Sequence, residues 1–153
     1  MATPKTLQVG IVDVQCGEGV TIVQPSNVYG CELAEQVFVG PFVEVQKHTR
    51  IGARTKVQSH TFVCEYVSIG EDCFIGHGVM FANDMFKSGK PDPNSDNWGR
   101  IVLGDRVTVG SNATILAVSI CDDAVIGAGS VVTKDITQPG IYAGNPAKLL
   151  RAL

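Results

Sequence analysis

LAEQVFVGPFVEVQKHTRIGARTKVQSHTFVCEYVSIGEDCFIGHGVMF, residues 33–81, decides how this chain folds. Large apolar residues recur every six positions: Leu33, Val39, Val45, Ile51, Val57, Val63, Ile69, Ile75 and Phe81. Four residues after each of the first eight stands a small or β-branched residue: Val37, Val43, Thr49, Thr55, Thr61, Val67, Cys73 and Val79. Ordinary strand alternation has period two and would not hold a six-residue phase through nine units. A period of six means short strands joined by tight turns. Three such units carry the backbone once around a three-sided coil of about eighteen residues. The large residue points inward and stacks on its equivalents in the coils above and below, as in a solenoid whose turns bury their faces only against neighbours. Several large residues are followed by glycine (Gly40, Gly52, Gly70, Gly76), which suits a turn residue at positive φ.

Outward from this stretch the phase degrades. Toward the N-terminus it reaches Asn27, which places a polar residue in an inward slot. Past Phe86 it breaks. Residues 85–100, polar and rich in Pro and Gly, read as a loop ejected from the coil, and loops this long inside a compact domain are commonly functional. The repeat resumes at Leu103, Val109 and Ile115, slips by one residue, and continues at Ile120, Ile126 and Val132. The last segment, 140–153, leaves the repeat and is expected to end in a short capping helix. The fold class is therefore all-β, a hexad solenoid forming one domain over 1–153.

Composition excludes several functions. A hydrophobic fraction of 44% with 18% charged residues is too apolar for disorder, and the apolar residues are too interrupted for a membrane span. The net charge of −3 provides no basic field for nucleic acid. The N-terminal residues lack the apolar core of a signal peptide, so a cytoplasmic address is the expectation. The five cysteines are scattered, odd in number and without a CxxC pair, against both a disulfide framework and a zinc knuckle.

Two C-terminal segments, Ile126-Gly-Ala-Gly-Ser-Val-Val-Thr-Lys-Asp135 and Ala143-Gly-Asn-Pro-Ala147, together with the hexads, resemble the hexapeptide acyltransferases. The resemblance covers roughly residues 20–153. It implies a left-handed parallel β-helix, a threefold homotrimer, and acetyl-CoA as co-substrate between subunits, with no metal. It also implies contact of Gly127, Ala128, Gly129 and Lys134 with the CoA arm and phosphates. Ser59-His-Thr-Phe-Val-Cys-Glu65 and Gly76-His-Gly-Val-Met-Phe-Ala-Asn-Asp84 are similar to segments of the N-acetyltransferases of nucleotide-linked amino sugars, whose setting is bacterial surface polysaccharide synthesis.

The eighteen-residue coil turns spacing into position. His60 and His77 fall at one corner in adjacent coils, whose backbones lie about 5 Å apart. Glu65 and Asn83 stack at the next corner, followed by Tyr66 and Asp84, with Lys47 and His48 one coil below, and the ejected loop leaves from there. Acyl transfer to an amine needs an acceptor that orients the ammonium and a donor for the developing oxyanion. Asn83 and Glu65 suit the first task, and His60 or His77 suits a general base. Asp84 and Trp98 are the expected substrate contacts. The rivals are a sugar O-acetyltransferase on the same fold, which would lean harder on a histidine base, a β-helix carbonic anhydrase, which needs three converging histidines, and a non-enzymatic assembly solenoid.

Overall fold

The computed structural model describes residues 1–153 and shows a left-handed parallel β-helix of about seven turns. Twenty-one short strands form three sheets that are the walls of a triangular column. Sheet I contains Ile11–Val12, Asn27–Tyr29, Glu44–Val45, Phe62–Val63, Met80–Phe81, Thr114–Ile115 and Val131–Val132. Sheet II contains Gln15–Cys16, Glu32–Leu33, Arg50–Ile51, Val67–Ile69, Ile101–Leu103 and Ser119–Ile120. Sheet III runs from Thr21–Ile22 through Phe38–Val39, Lys56–Val57, Phe74–Ile75, Thr108–Val109 and Val125–Ile126 to Ile141–Ala143, and ends in Lys148–Arg151. The parallel register between coils matches the hexad phase: Ile51 pairs with Ile69, Val57 with Ile75 and Val45 with Val63.

Each of the nine large residues and each of the eight small ones is buried in one continuous core cluster or beside it. Thr49, Thr55 and Thr61 are buried with their hydroxyls satisfied, donating to the carbonyls of Cys64, Gly70 and Gly76 at 3.0, 2.8 and 2.9 Å. A buried hydroxyl is tolerated when it keeps such a partner.

Three expectations need correcting. The inward residue of the second coil is Val28, with Asn27 beside it, because Val28 pairs with Val45 seventeen residues on. The step from Val28 to Leu33 is thus one residue short, and the step from Ile115 to Ile120 repeats that shortening. The glycines after the large residues are not the positive-φ positions. A Cβ on Gly40 would stand 2.9 Å from the Ser59 amide nitrogen, so that glycine lets one coil approach the next. The left-handed residue falls later in the turn, at Phe42, Arg54, His60 and Asp72, where side chains occupy a conformation that ordinarily costs about 1 kcal/mol or more. Finally, the expected C-terminal helix is a β-hairpin. Ile141–Ala143 joins sheet III parallel to Val125–Ile126 and pairs antiparallel with Lys148–Arg151. A helix of two turns at most is marginal by itself, whereas an open sheet edge offers a ladder of backbone partners.

Candidate active site

The two wall junctions nearest the chemistry-bearing residues differ in role. At the junction of sheets III and I, successive coils place Ser59 under His77 and His60 under Gly78, since Val57 pairs with Ile75. His60 and His77 therefore share an edge and occupy adjacent coils, but they are offset by one residue. Ser59 Oγ lies 2.9 Å from His77 Nδ1, which orients that ring and leaves Nε2 without a protein partner. His60 instead packs against Phe42, ring centroids 5.0 Å apart. Of the two histidines, His77 is the one with an orienting polar partner, the arrangement a general base requires.

The same edge carries the glycine turn of the second-last coil. Val109 pairs with both Ile75 and Ile126, so Ala128 stands two coils above His77, roughly 10 Å away at the usual strand spacing. Gly129 has φ +67° and open space where a Cβ would project. Gly127 is different: a Cβ there would lie 2.9 Å from that of Ala143, so its smallness seats the C-terminal hairpin. Lys134 is exposed on another edge. Ile115 pairs with Phe81 and with Val132, which puts Lys134 two coils above Asn83.

At the junction of sheets I and II the left-handed turn position is held by Asp13, Gly30, His48 and Tyr66 in successive coils. In the next coil, at Asp84, the chain exits into the loop. Asn83 is 7% exposed, and its Nδ2 donates to the Glu65 carbonyl at 2.7 Å. A carbonyl can only accept, so the amide orientation is settled, and Oδ1 is left without a protein partner. The Asn83 carbonyl in turn accepts from Gly99 N at 2.8 Å, which closes the loop on its own origin. Glu65 turns its side chain away, toward Lys47 at 3.8 Å, with Oε2 buried and without a hydrogen-bond donor. Its carboxylate helps raise the pKa of Tyr29, whose phenol is pushed up first by burial and then by Glu44 and Glu65.

The loop is shaped by its own polar side chains. Asp84 accepts from Phe86 N at 2.9 Å and from Asp92 N at 2.7 Å, so both carboxylate oxygens hold the loop. Asp92 accepts from Asn94 N and from Asn97 Nδ2, and a short 3-10 turn, Ser95–Asn97, follows. Trp98 Nε1 donates to the Asp92 carbonyl at 2.9 Å. Two cavities flank Asn83. One, about 290 Å³, is apolar and runs beneath the loop between Phe62, Phe81, Phe86 and Trp98. The other, about 470 Å³, is polar, with Asp84, Lys87, Asp92, Asn97 and Arg100 on its wall. Asn83 is on the wall of both. Of the residues named from the sequence, Asn83, Asp84 and Trp98 stand on the walls of these cavities; Lys87 and Arg100, on the same polar wall, were not named, because they sit outside the repeat where spacing no longer converts to position.

Comparison with known proteins places this architecture. The family model described as the hexapeptide repeat of succinyl-transferase matches residues 66–80 and 100–134. The matched residues, about a third of the chain, all lie in the coils that carry the six-residue repeat. The bifunctional protein GlmU of Rubrobacter xylanophilus is 39% identical to this chain over 80% of its length, but the match covers 24% of GlmU. GlmU of Streptococcus uberis is 31% identical over 92% of the chain and 32% of that protein. The chain thus spans about a quarter to a third of these relatives. Among solved structures, a hexapeptide-repeat acetyltransferase from Vibrio cholerae, complexed with acetyl-CoA, superposes with a TM-score of 0.68 at 25% identity, covering 78% of this chain and 69% of that one. The perosamine N-acetyltransferase of Caulobacter crescentus, in complex with CoA and GDP-perosamine, gives a TM-score of 0.73 at 24% identity over 85% of this chain and 55% of that one, a likeness of fold.

Proposed function

We propose that this chain is an acetyl-CoA-dependent N-acetyltransferase that acylates the amino group of a nucleotide-linked sugar, working as a homotrimer with its sites between subunits. The observation that carries this reading is Asn83: a buried amide, locked by the Glu65 carbonyl, on the wall of two cavities at the root of a shaped loop, with its oxygen free. A fixed oxygen acceptor orients an amine toward an electrophile and disfavours no protonation state of its own.

The trimer gives the separated edges a common purpose. On one chain, His77 and Gly129 line the III/I edge while Asn83 and Lys134 line the I/II edge. A threefold arrangement sets the III/I edge of one subunit against the I/II edge of the next, and a heterologous contact closes at 120°. The amine then attacks the thioester carbonyl, the new C–N bond forms, the C–S bond breaks, and the amine proton passes to the leaving thiolate or first to His77 Nε2. Backbone N–H groups of the coil turns are the available oxyanion donors.

The Ser59–His77 contact gives a sugar O-acetyltransferase a specific observation in its favour, because a hydroxyl acceptor needs a base. One experiment separates the two. The chain is incubated with acetyl-CoA and a panel of nucleotide amino sugars, alongside the same sugars carrying hydroxyl in place of amine, with free thiol release as the readout. Release only with amines supports N-acetylation. Release with the hydroxyl sugars, abolished by His77→Ala, would establish the alternative.

A further inference from the structure

We propose that Arg100 and Lys87 form the diphosphate seat of the acceptor, and that a stacked column of His48 and Tyr66 holds Arg100 in place. This deepens the N-acetyltransferase reading and rests on it for the identity of the full substrate. Three of the five arginines are engaged by carboxylate: Arg50 with Glu32, Arg54 with Glu35, Glu71 and Asp72, Arg106 with Asp122 and Asp123; of the other two, Arg151 on the terminal hairpin lines no cavity, and Arg100 does. Arg100 and Lys87 form no ion pair, although both line the polar cavity beside Asn83. The Arg100 guanidinium lies over the Tyr66 ring, 4.8 Å from its centroid, and the other face of the column is His48, stacked at 5.4 Å and 8° from parallel. Such stacking orients a planar cation while leaving its in-plane N–H fork free for a bidentate anion.

The two carboxylates of the cavity do not quench this seat. All four oxygens of Asp84 and Asp92 accept loop N–H groups. The wall therefore carries two unpaired cations and two satisfied carboxylates around the free oxygen of Asn83. That pattern fits a ligand with a diphosphate at one end and an ammonium at the other, which is what a nucleotide-linked amino sugar is. The sugar lies toward Asn83 and the diphosphate toward Arg100 and Lys87. Phosphate groups seat on arginine in two-point contacts that lysine supplements as a point charge.

The test is calorimetric binding of UDP, dTDP and GDP to the intact protein, followed by kinetics with whichever nucleotide amino sugar is turned over. Arg100→Met and Lys87→Met are expected to weaken nucleoside diphosphate binding, and to raise the acceptor KM, by about tenfold or more each, with the KM for acetyl-CoA unchanged. Tyr66→Leu is expected to reproduce the Arg100→Met effect, while Tyr66→Phe, which keeps the ring, rescues it. Diphosphates that bind equally well to Arg100→Met, or that bind to none of these proteins, overturn the seat. A seat that binds diphosphates through Arg100 in a protein that acetylates no amino sugar leaves the seat standing and refutes the proposed activity, so the two failures are distinct.

Discussion

Two edges of the same column use charge in opposite ways. At the junction of sheets II and III, Arg54 holds Asp72 in a two-point contact at 2.7 and 2.9 Å and reaches Glu71 at 2.8 Å. Two coils up the wall, Arg106 repeats the pattern on Asp123 at 2.7 and 2.9 Å. At the junction of sheets I and II the polar groups stay open: Asn83 Oδ1, Glu65 Oε2, Lys87 and Arg100 lack protein partners that match them. A residue that closes its interactions within the chain serves the coil stack. A residue held in place but left with an open valence for hydrogen bonding or charge has something else to bind.

The contrast breaks most visibly at Asn83. Asn83→Ala is expected to lower turnover by about 10²–10³-fold, the range seen when one oriented polar group is removed from an acyl-transfer site. Circular dichroism should remain that of the native coil. A loss of folded signal in place of a loss of turnover would make Asn83 a structural residue like Arg54.

Asp84 sharpens the comparison from within the loop. Asp84→Ala releases two backbone N–H groups, Phe86 and Asp92, from their acceptor. The acceptor KM should rise by about tenfold through loss of a pre-formed cavity, while the melting temperature scarcely moves, because the loop lies outside the core. Limited proteolysis within 85–100 should accelerate in the same variant.

Thiol labelling compares the floors of the two edges. Burial pushes the Cys64 thiol up to about 12 and also raises Cys73, whereas Cys16 is exposed. At pH 8, Cys16 should react promptly with a disulfide reagent, and Cys64 and Cys73 should react only on unfolding. Early labelling of Cys64 alone would show that the loop-bearing edge opens independently of the ion-paired one.

The smallest effect is expected at the ion-paired edge. Arg54→Met should leave turnover unchanged and lower the melting temperature slightly, with the difference erased in high salt, as for exposed pairs in general. The carboxyls of Asp72 and Asp123 are held below their ordinary value chiefly by hydrogen bonds from Arg54 and Arg106. A depressed carboxyl pKa contributes stability above its unfolded value, 3.8, and that contribution is lost as pH falls through the folded value. Melting curves between pH 5 and pH 3 should therefore converge for the native chain and Arg54→Met as the pH drops. Curves that stay parallel would remove the edge's pH-dependent role.

The hexad phase from Leu33 to Phe81 was enough to place the core, the coil length, the ejection of the loop and the stacking of Glu65 beneath Asn83, because in a solenoid each residue's neighbours lie at a fixed sequence distance. That same regularity put His60 and His77 on one edge, three residues past Val57 and two past Ile75, whereas the Ser59–His77 contact that this one-residue offset creates was visible only in the structure. Where the repeat stops, sequence distance loses its meaning. The hairpin at 141–151 forms because a sheet edge was open to receive it. The loop's Asx network, the placement of Arg100 on Tyr66 and the satisfied state of Asp84 and Asp92 depend on contacts between residues that no period relates. The coil was legible in the chain because its interactions are local and repeated; the pocket was decided by the tertiary structure because its interactions are neither.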